Sequence, residues 1–322
     1  MPRPTSATSI ARPDLGVLAY EYLTEASRAG FIGLSILPIF QTPEKSAEYP
    51  VIPLEAVVKL KDTKRSPRGG YNRSDYEFEN KTYGCKENGW EEPLDDVERK
   101  LYANLFDAEE VAVERAMDIV LRNQEKRIAD LLFNTANITN TANVSTEWST
   151  VATCTPRSDV LTAKEAMRKA SGLIADRMAM SVTVFNNLML CKEICDALQY
   201  TNPFQMGGFE AQKQALAMYF GVSEILVGGA IRDQAKKGQS FSIADIWDDE
   251  YVLLYKSARN PQDLKEPSLG RTFLWTTDSP SNAVVESYRD ETVRSDIYRV
   301  RHYTDECLSF AGAGYLLGNI TA

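Results

Sequence analysis

Residues 65–96 read RSPRGGYNRSDYEFENKTYGCKENGWEEPLDD, and their charge is segregated along the chain. Between Lys59 and Ser74 the charges are Lys59, Lys61, Lys64, Arg65, Arg68 and Arg73 against Asp62 alone. Between Asp75 and Glu98 they are Asp75, Glu77, Glu79, Glu87, Glu91, Glu92, Asp95, Asp96 and Glu98 against Lys81 and Lys86. The preceding YPVIPLEAVVKL (Tyr49–Leu60) predicts a strand with a proline near its start, as at a sheet edge. SPRGGYN is a turn, and SDYEFENKTYGC predicts a return strand with Tyr76 and Phe78 on one side. The pattern is a long hairpin with its tip near Pro67–Gly70. An isolated hairpin is marginal in water, so this one needs a neighbour.

The strongest single element follows. Asp107 has the chemistry of a helix N-cap, and Glu110 stands three positions later, as in a capping box. The next 26 residues, AEEVAVERAMDIVLRNQEKRIADLLF, contain no Gly or Pro. Val113, Met117, Val120, Gln124, Ile128 and Leu131 recur at helical spacing, with one polar interruption. A helix over 107–134 would be about 42 Å long, a spine able to support several regions.

Upstream, MPRPTSATSIARPDLG has the composition of an extended arm, followed by a predicted short helix over Leu15–Ala29. FIGLSILPIF (31–40) is apolar enough to pack on something, while Pro38 and Pro43 discourage a continuous helix. Downstream, the Thr- and Asn-rich 135–159 predicts loops with short strand pieces. A capped helix is predicted from Asp159 to Gly172, then a strand at MSVTVF, one helix at NNLMLCKEICDAL and another at FEAQKQALAMYF. VSEILVGGA, DEYVLLYK and RTFLWTT predict further strands, making an α/β region. The last 40 residues alternate polar and apolar, predicting long antiparallel strands that return to the spine helix.

Composition narrows the function. A net charge of −9 and a pI near 5.0 argue against broad electrostatic gripping of nucleic acid. No apolar run reaches the length of a membrane span, and the N-terminus lacks a signal-peptide pattern, so cytoplasmic synthesis is expected. Five scattered cysteines (Cys85, Cys154, Cys191, Cys195, Cys307) do not make a disulfide framework. Cys191 and Cys195 share the spacing of two ligands on one helix face, but the single His302 is remote, so buried structural thiols are expected.

GGAIRDQAKKG lacks the spacing of a phosphate-binding loop, and Gly228-Gly229 reads as a strand end. The acidic groups Glu91-Glu92, Asp95-Asp96 and Asp248-Asp249-Glu250 match no calcium-loop spacing. Trp90, Trp148, Trp247 and Trp275 are expected to pack locally. No catalytic residue, cofactor site or metal site is assigned, and the chain is read as a non-enzyme.

The order of parts, with YGCKENGWEEPLDD leading into the spine, LAMYFGVSEILVGGA followed by IADIWDD, and the terminal VVESYRDETVRSDIYRVRHYTDECLSFAGAGYLLGNI, resembles the major capsid proteins of tailed bacteriophages. That resemblance implies the Hong Kong 97-type α+β capsid fold. It divides the chain into an N-terminal arm (1–47), an extended β-hairpin loop with its flanking strand (48–92), and a peripheral domain (93–154 and 282–322) that holds the spine helix. An α/β axial domain (155–281) completes it.

It also implies self-assembly into pentamers and hexamers of an icosahedral head around double-stranded DNA, without specific binding of that DNA. Assembly would take place in the host bacterial cytoplasm. A separate scaffolding protein, a portal and a decoration protein are the implied partners. The extended loop would lie over a neighbouring subunit. The basic tip (Lys64, Arg65, Arg68, Arg73) of one copy would then meet the acidic base (Glu87, Glu91, Glu92, Asp95, Asp96) of the next. Against this stand a solvated hairpin within one chain, an encapsulin-like nanocompartment shell with enzyme cargo, and a soluble α/β hydrolytic enzyme.

Overall fold

The computed structural model of the chain describes residues 10–11, 30–65, 67–73, 78–102, 107–199, 208–236 and 238–321. The helix expected over Leu15–Ala29 lies outside them, as does Tyr76. In the first third of the chain come β1 (Ile10–Ala11), α1 (Gly33–Ile36), β2 (Ile39–Thr42), β3 (Ser46–Val51), α2 (Leu54–Val58), β4 (Glu79–Gly84), β5 (Lys86–Asp95) and α3 (Asp96–Tyr102). The spine helix α4 (Ala108–Leu132) leads to β6 (Thr141–Asn143), α5 (Pro156–Ser171), β7 (Arg177–Ser181), α6 (Val182–Leu190), α7 (Lys192–Leu198), α8 (Phe209–Phe220) and β8 (Glu224–Gly228). The chain closes with β9 (Ile231–Asp233), β10 (Ile243–Asp245), β11 (Val252–Tyr255), β12 (Gly270–Trp275), β13 (Val284–Asp290), β14 (Ser295–Leu308) and β15 (Gly314–Gly318).

Two sheets dominate. In the first, β14 is the organising strand: β13 pairs with its residues 295–301, β5 with 295–304 and β12 with 304–308, all antiparallel. In the second the order is β6-β15-β11-β7-β8, with β7 and β8 parallel. One face of this second sheet is covered by a core that includes Met178, Met180, Val184, Leu188, Leu216 and Phe220.

The spine helix joins the two sheets. Asp107 caps it by accepting from the Glu109 and Glu110 amides. Its 25 residues span about 37 Å. In its first half Val113, Ala116, Met117 and Val120 pack with Tyr298, Val300 and Val285 of the first sheet. In its second half Ile128, Ala129 and Leu132 pack with Leu253, Tyr255 and Leu316 of the second sheet, and Ile32, Ile36 and Leu37 join them. Leu131 is only half-buried, and Leu132 takes the core position instead.

Four expectations are corrected. The strand expected over Tyr49–Leu60 ends at Val51 and gives way to α2. Pro53 has no amide to add to the ladder, and its fixed φ suits a helix entry. The strand expected at MSVTVF ends at Ser181, whose hydroxyl accepts from the Val184 amide and starts α6 at Val182. The single helix expected next is two, because Cys191 adopts an extended backbone between α6 and α7. Finally, β13 and β14 do pack against the spine, but β15 pairs with β11 and β6 in the second sheet.

Gly228 does end β8, for a reason that spacing alone does not disclose: a Cβ there would overlap the Trp247 ring.

The buried carboxylate of Glu125 lies where the two halves of the spine meet. Its Oε1 accepts from the Ile32 amide (2.7 Å), the Gly33 amide (3.0 Å) and Trp247 Nε1 (2.7 Å), and Oε2 accepts from Gly33 (2.9 Å). A Cβ on Gly33 would lie 2.6 Å from Oε2, so only glycine allows this approach. Burial pushes the Glu125 carboxyl above its ordinary range, while the three donors favour the ionised form. Glu125→Ala would strand three buried N–H groups, each costing about 1–3 kcal/mol. A loss of about 3–5 kcal/mol is expected, with Glu125→Gln losing less because one acceptor oxygen survives. Denaturant unfolding of the unassembled subunit measures both, and equal stability of the Ala variant and wild type would contradict this role.

Candidate functional site

The extended hairpin is fastened at its root. β3 and β4 pair from Ser46↔Gly84 to Val51↔Glu79. Tyr83 stacks on Phe273 of β12 with centroids 4.2 Å apart and planes at 1°, and Tyr49 and Phe40 crowd the same ring. Thr42 Oγ1 and Tyr83 OH share a 2.9 Å hydrogen bond, and the Gly84 amide donates to Asp305 Oδ2 (2.9 Å). Of the aromatics along this strand, Phe78 is exposed and Tyr83 is buried.

Beyond the root the loop exposes apolar side chains: Val57, Val58 and Tyr71 are 68%, 62% and 73% exposed, and Leu60 reaches 98%. The tip is nevertheless built. Arg65 Nε donates to Gly69 O (2.7 Å), its guanidinium lies 4.7 Å from the Tyr71 centroid, and Asn72 Nδ2 donates to Asp62 O (2.8 Å). Arg68 turns the chain with φ +67. Lys64, Arg65, Arg68 and Arg73 are exposed, and among the described residues none pairs with a carboxylate.

The acidic stretch lies elsewhere, along β5 and the start of α3, on the first sheet. Glu91 pairs with Arg299 (2.6 Å), and Asp96 meets Arg289 through two contacts of 2.6 and 2.7 Å. The Arg289 guanidinium holds the Asp96 carboxyl below its usual range. Glu92 accepts from Trp90 Nε1 (3.1 Å), with Arg115 3.8 Å away. Glu87 accepts from Tyr303 OH (2.8 Å), and Asp95 accepts from the Val97 amide (2.7 Å). Among the described residues, then, Glu87 and Asp95 are the members of the acidic set without a cation of their own chain. Beside Glu87 a groove of 480 Å³ opens between β5 and the spine helix, lined also by Trp90, Asn88, Ile119, Asn123 and Lys126.

His302 is fully buried on the inner face of β14, and both ring nitrogens are engaged. Nδ1 lies 3.0 Å from Asn282 O and Nε2 lies 3.3 Å from Arg127 Nη2, which makes Nδ1 the protonated nitrogen. Arg127 also donates to both oxygens of Glu306 (3.0 and 3.1 Å), and Gln124 exchanges two hydrogen bonds with Asn282. This network lies between helix and sheet and holds them in register.

Asp248, Asp249 and Glu250 are absorbed by local bonds to the Glu250 amide, Ser181 Oγ and the Asn319 amide. Among the described residues no group of three His, Cys, Asp or Glu side chains gathers as metal ligands, and no helix is long and apolar enough to cross a membrane.

No family model matches the chain. A curated relative, the major capsid protein of Burkholderia phage BcepMu, is 28% identical over 323 residues, covering 98% of each chain. Among solved structures, a phage-related protein from Bordetella bronchiseptica matches with a TM-score of 0.70 and 22% identity, over 97% of this chain and 98% of that one. The capsid protein of cyanophage P-SCSP1u matches with a TM-score of 0.55 and 9% identity (88% and 86% covered). An encapsulin from Synechococcus elongatus matches with 0.52 and 11% (89% and 86% covered). The fold is the Hong Kong 97-type α+β capsid fold. With a curated relative aligned over 98% of the chain at 28% identity, the chain is similar to phage major capsid proteins, which supports a structural role.

The His302 network has a pH signature. Burial first, and then the adjacent Arg127 charge, lower its pKa to about 4 from 6.5. The unfolded chain therefore takes up a proton that the folded one refuses, so stability falls as pH drops from 6.5 through 4, by about 3 kcal/mol in full. Glu306, held below its ordinary value of 4.5 by Arg127 despite its burial, adds a loss at still lower pH. Unfolding of the unassembled subunit at pH 7, 5.5 and 4 measures this. His302→Gln should flatten the slope between pH 6.5 and 4, and an unchanged slope would contradict the assignment.

Proposed function

We propose that the protein self-assembles, as pentamers and hexamers, into the icosahedral head that encloses the double-stranded DNA of a tailed phage. The observation that carries this reading is the hairpin itself. It is pinned at its root by Tyr83 on Phe273, while its outer half carries exposed apolar and basic side chains that the described residues of its own chain do not cover. An exposed apolar surface of this kind marks an interaction site, and in this reading another copy buries it.

In this reading residues 1–47 are an arm, 48–92 the loop, and 93–154 with 282–322 the peripheral domain around the spine helix. Residues 155–281 are the axial domain, to whose sheet β15 contributes a strand. The basic tip meets the acidic stretch of the next copy. Glu91 and Asp96 bring their own arginines to that contact, so Glu87 and Asp95 are the carboxylates best placed to answer the tip's charge. Exposed ion pairs are worth ~0–1 kcal/mol each, so they set orientation while apolar burial supplies the affinity. A separate scaffolding protein, a portal and a decoration protein would complete the head, assembled in the host cytoplasm.

An encapsulin-like shell is the second reading, because encapsulins share this fold. The full-length relative is a phage major capsid protein, which favours the first. Particle contents separate the two: packaged DNA in one case, an enzyme in the other.

Reversing the tip charge (Arg65→Glu, Arg68→Glu and Arg73→Glu together) should abolish shells seen by electron microscopy, while the circular dichroism of the subunit stays unchanged. Intact shells would remove the tip from the assembly contact. A wild-type chain that stays monomeric with every candidate scaffold would overturn the function.

A further inference from the structure

Cys154, in the loop before α5, and Cys191, between α6 and α7, are both buried, and their sulfurs lie 2.7 Å apart. Two sulfur atoms at that separation are inside van der Waals contact. Backbone bonds hold the two positions together: the Lys192 amide donates to Val151 O (2.9 Å) and the Cys154 amide to Thr150 O (3.1 Å). Leu188, Ile194 and Trp148, all fully buried, belong to the same core. The other three thiols have different neighbours. Cys85 Sγ is near Phe273 O (3.6 Å), Cys195 Sγ near Met189 O (3.2 Å) and Cys307 Sγ near Asp305 Oδ2 (3.0 Å). Spacing along the sequence paired Cys191 with Cys195, but the fold brings Cys191 to Cys154, 37 positions away.

We propose that Cys154 and Cys191 close into a disulfide within each subunit once the protein leaves a reducing cytoplasm, with a small-molecule disulfide of the glutathione type as oxidant. One thiolate of the pair attacks a sulfur of the oxidant, breaks its S–S bond and releases one small thiol. The second protein thiol, giving up its proton, displaces the other small thiol from the mixed disulfide and forms the Cys154–Cys191 bond. Two protein thiols are oxidised, one external disulfide is reduced, and the two protons end on the two released thiols. The link restrains the unfolded chain across that separation and fastens the loop before α5 to the α6–α7 junction.

Burial, together with the adjacent Cys191, pushes the Cys154 thiol up to about 12. Thiolate is therefore scarce and closure is slow, so the pair acts as a staple and not as a rapid sensor. The timing rests on the capsid reading above, in which the particle passes from the host interior to an oxidising exterior. The pairing itself does not depend on that reading.

The test uses the full chain in two forms. Reduced subunit is refolded from denaturant in a glutathione redox buffer, which guarantees access. Assembled particles are held in the same buffer. Free thiols are then alkylated, and unreduced digests are read by mass spectrometry. Of the five cysteines, three are expected to alkylate in the refolded subunit, with a linked Cys154–Cys191 peptide, and the same peptide should accumulate slowly in particles.

Cys154→Ser should abolish the link. It should also erase a gain in Tm of about 5 °C or more that separates oxidised from reduced wild type. Five alkylated thiols, or glutathione adducts in place of the link, in the refolded subunit would overturn the pairing. Linked subunits beside persistently unlinked particles would overturn closure after release. Failure of particles to form would count against the capsid reading alone, because the subunit measurement stands without them.

Discussion

The fold depends on one buried carboxylate. Glu125 sits on the spine helix where the helix passes from one sheet to the other, and its two oxygens gather donors from Ile32, Gly33 and Trp247. Apolar contacts alone would let the segment 31–37 slide along the helix, because dispersion and burial carry little directional information. Hydrogen bonds to an acceptor in a low-dielectric site are directional and strong, and leaving their donors unpaired is costly. The carboxylate thereby fixes where the apolar segment docks, and Trp247 fixes where β8 ends. The arginine–glutamate–histidine network anchored two positions along, at Arg127, repeats the device between the helix and β14.

With the helix fixed to both sheets, the long hairpin inherits a rigid base. Its root is a stack of aromatic rings on Phe273, a residue fully buried in β12, which itself pairs with β14. Its outer half has no comparable support within the described residues, yet the tip keeps a defined shape through Arg65, Gly69, Tyr71, Asn72 and Asp62. A preformed tip on a fixed base loses little conformational entropy when it docks. That combination is what a subunit needs if it must meet the same neighbour in the same way many times.

Much of this could be read from the residues, and what could not has definite causes. The spine helix was legible because a capped stretch free of Gly and Pro with a largely apolar stripe has few competing conformations. Gln124 broke the stripe in sequence but not in structure, because Asn282 satisfies it, 158 positions away. The buried role of Glu125 left no local trace: a glutamate in a charged helix looks solvent-facing until Trp247 and Gly33 are brought to it. The sulfur pair was missed for the same reason, since helical spacing points Cys191 to Cys195 and only the tertiary fold brings in Cys154. The strand that became α2 failed on local chemistry, where Pro53 outweighed the β-branched Val57 and Val58.

The segregation of charge that first marks residues 59–98 acquires a different meaning in three dimensions. Read along the chain, the acidic half is a bare counterpart to the basic half. In the folded subunit Glu91, Glu286, Asp278, Arg299 and Arg301 form an alternating ladder across the outer face of the first sheet. Much of the acidic charge is therefore spent within the subunit, holding β5 and β13 to β14. The basic tip has no such internal use among the described residues. In the proposed contact, attraction between copies would therefore be weaker than a count of charges implies, because Glu87 and Asp95 are the carboxylates that could receive the tip without giving up an arginine of their own chain. Weak, orientation-selective contacts backed by apolar burial let a misplaced neighbour leave before its surfaces are sealed, and a closed shell built from many copies requires that reversibility.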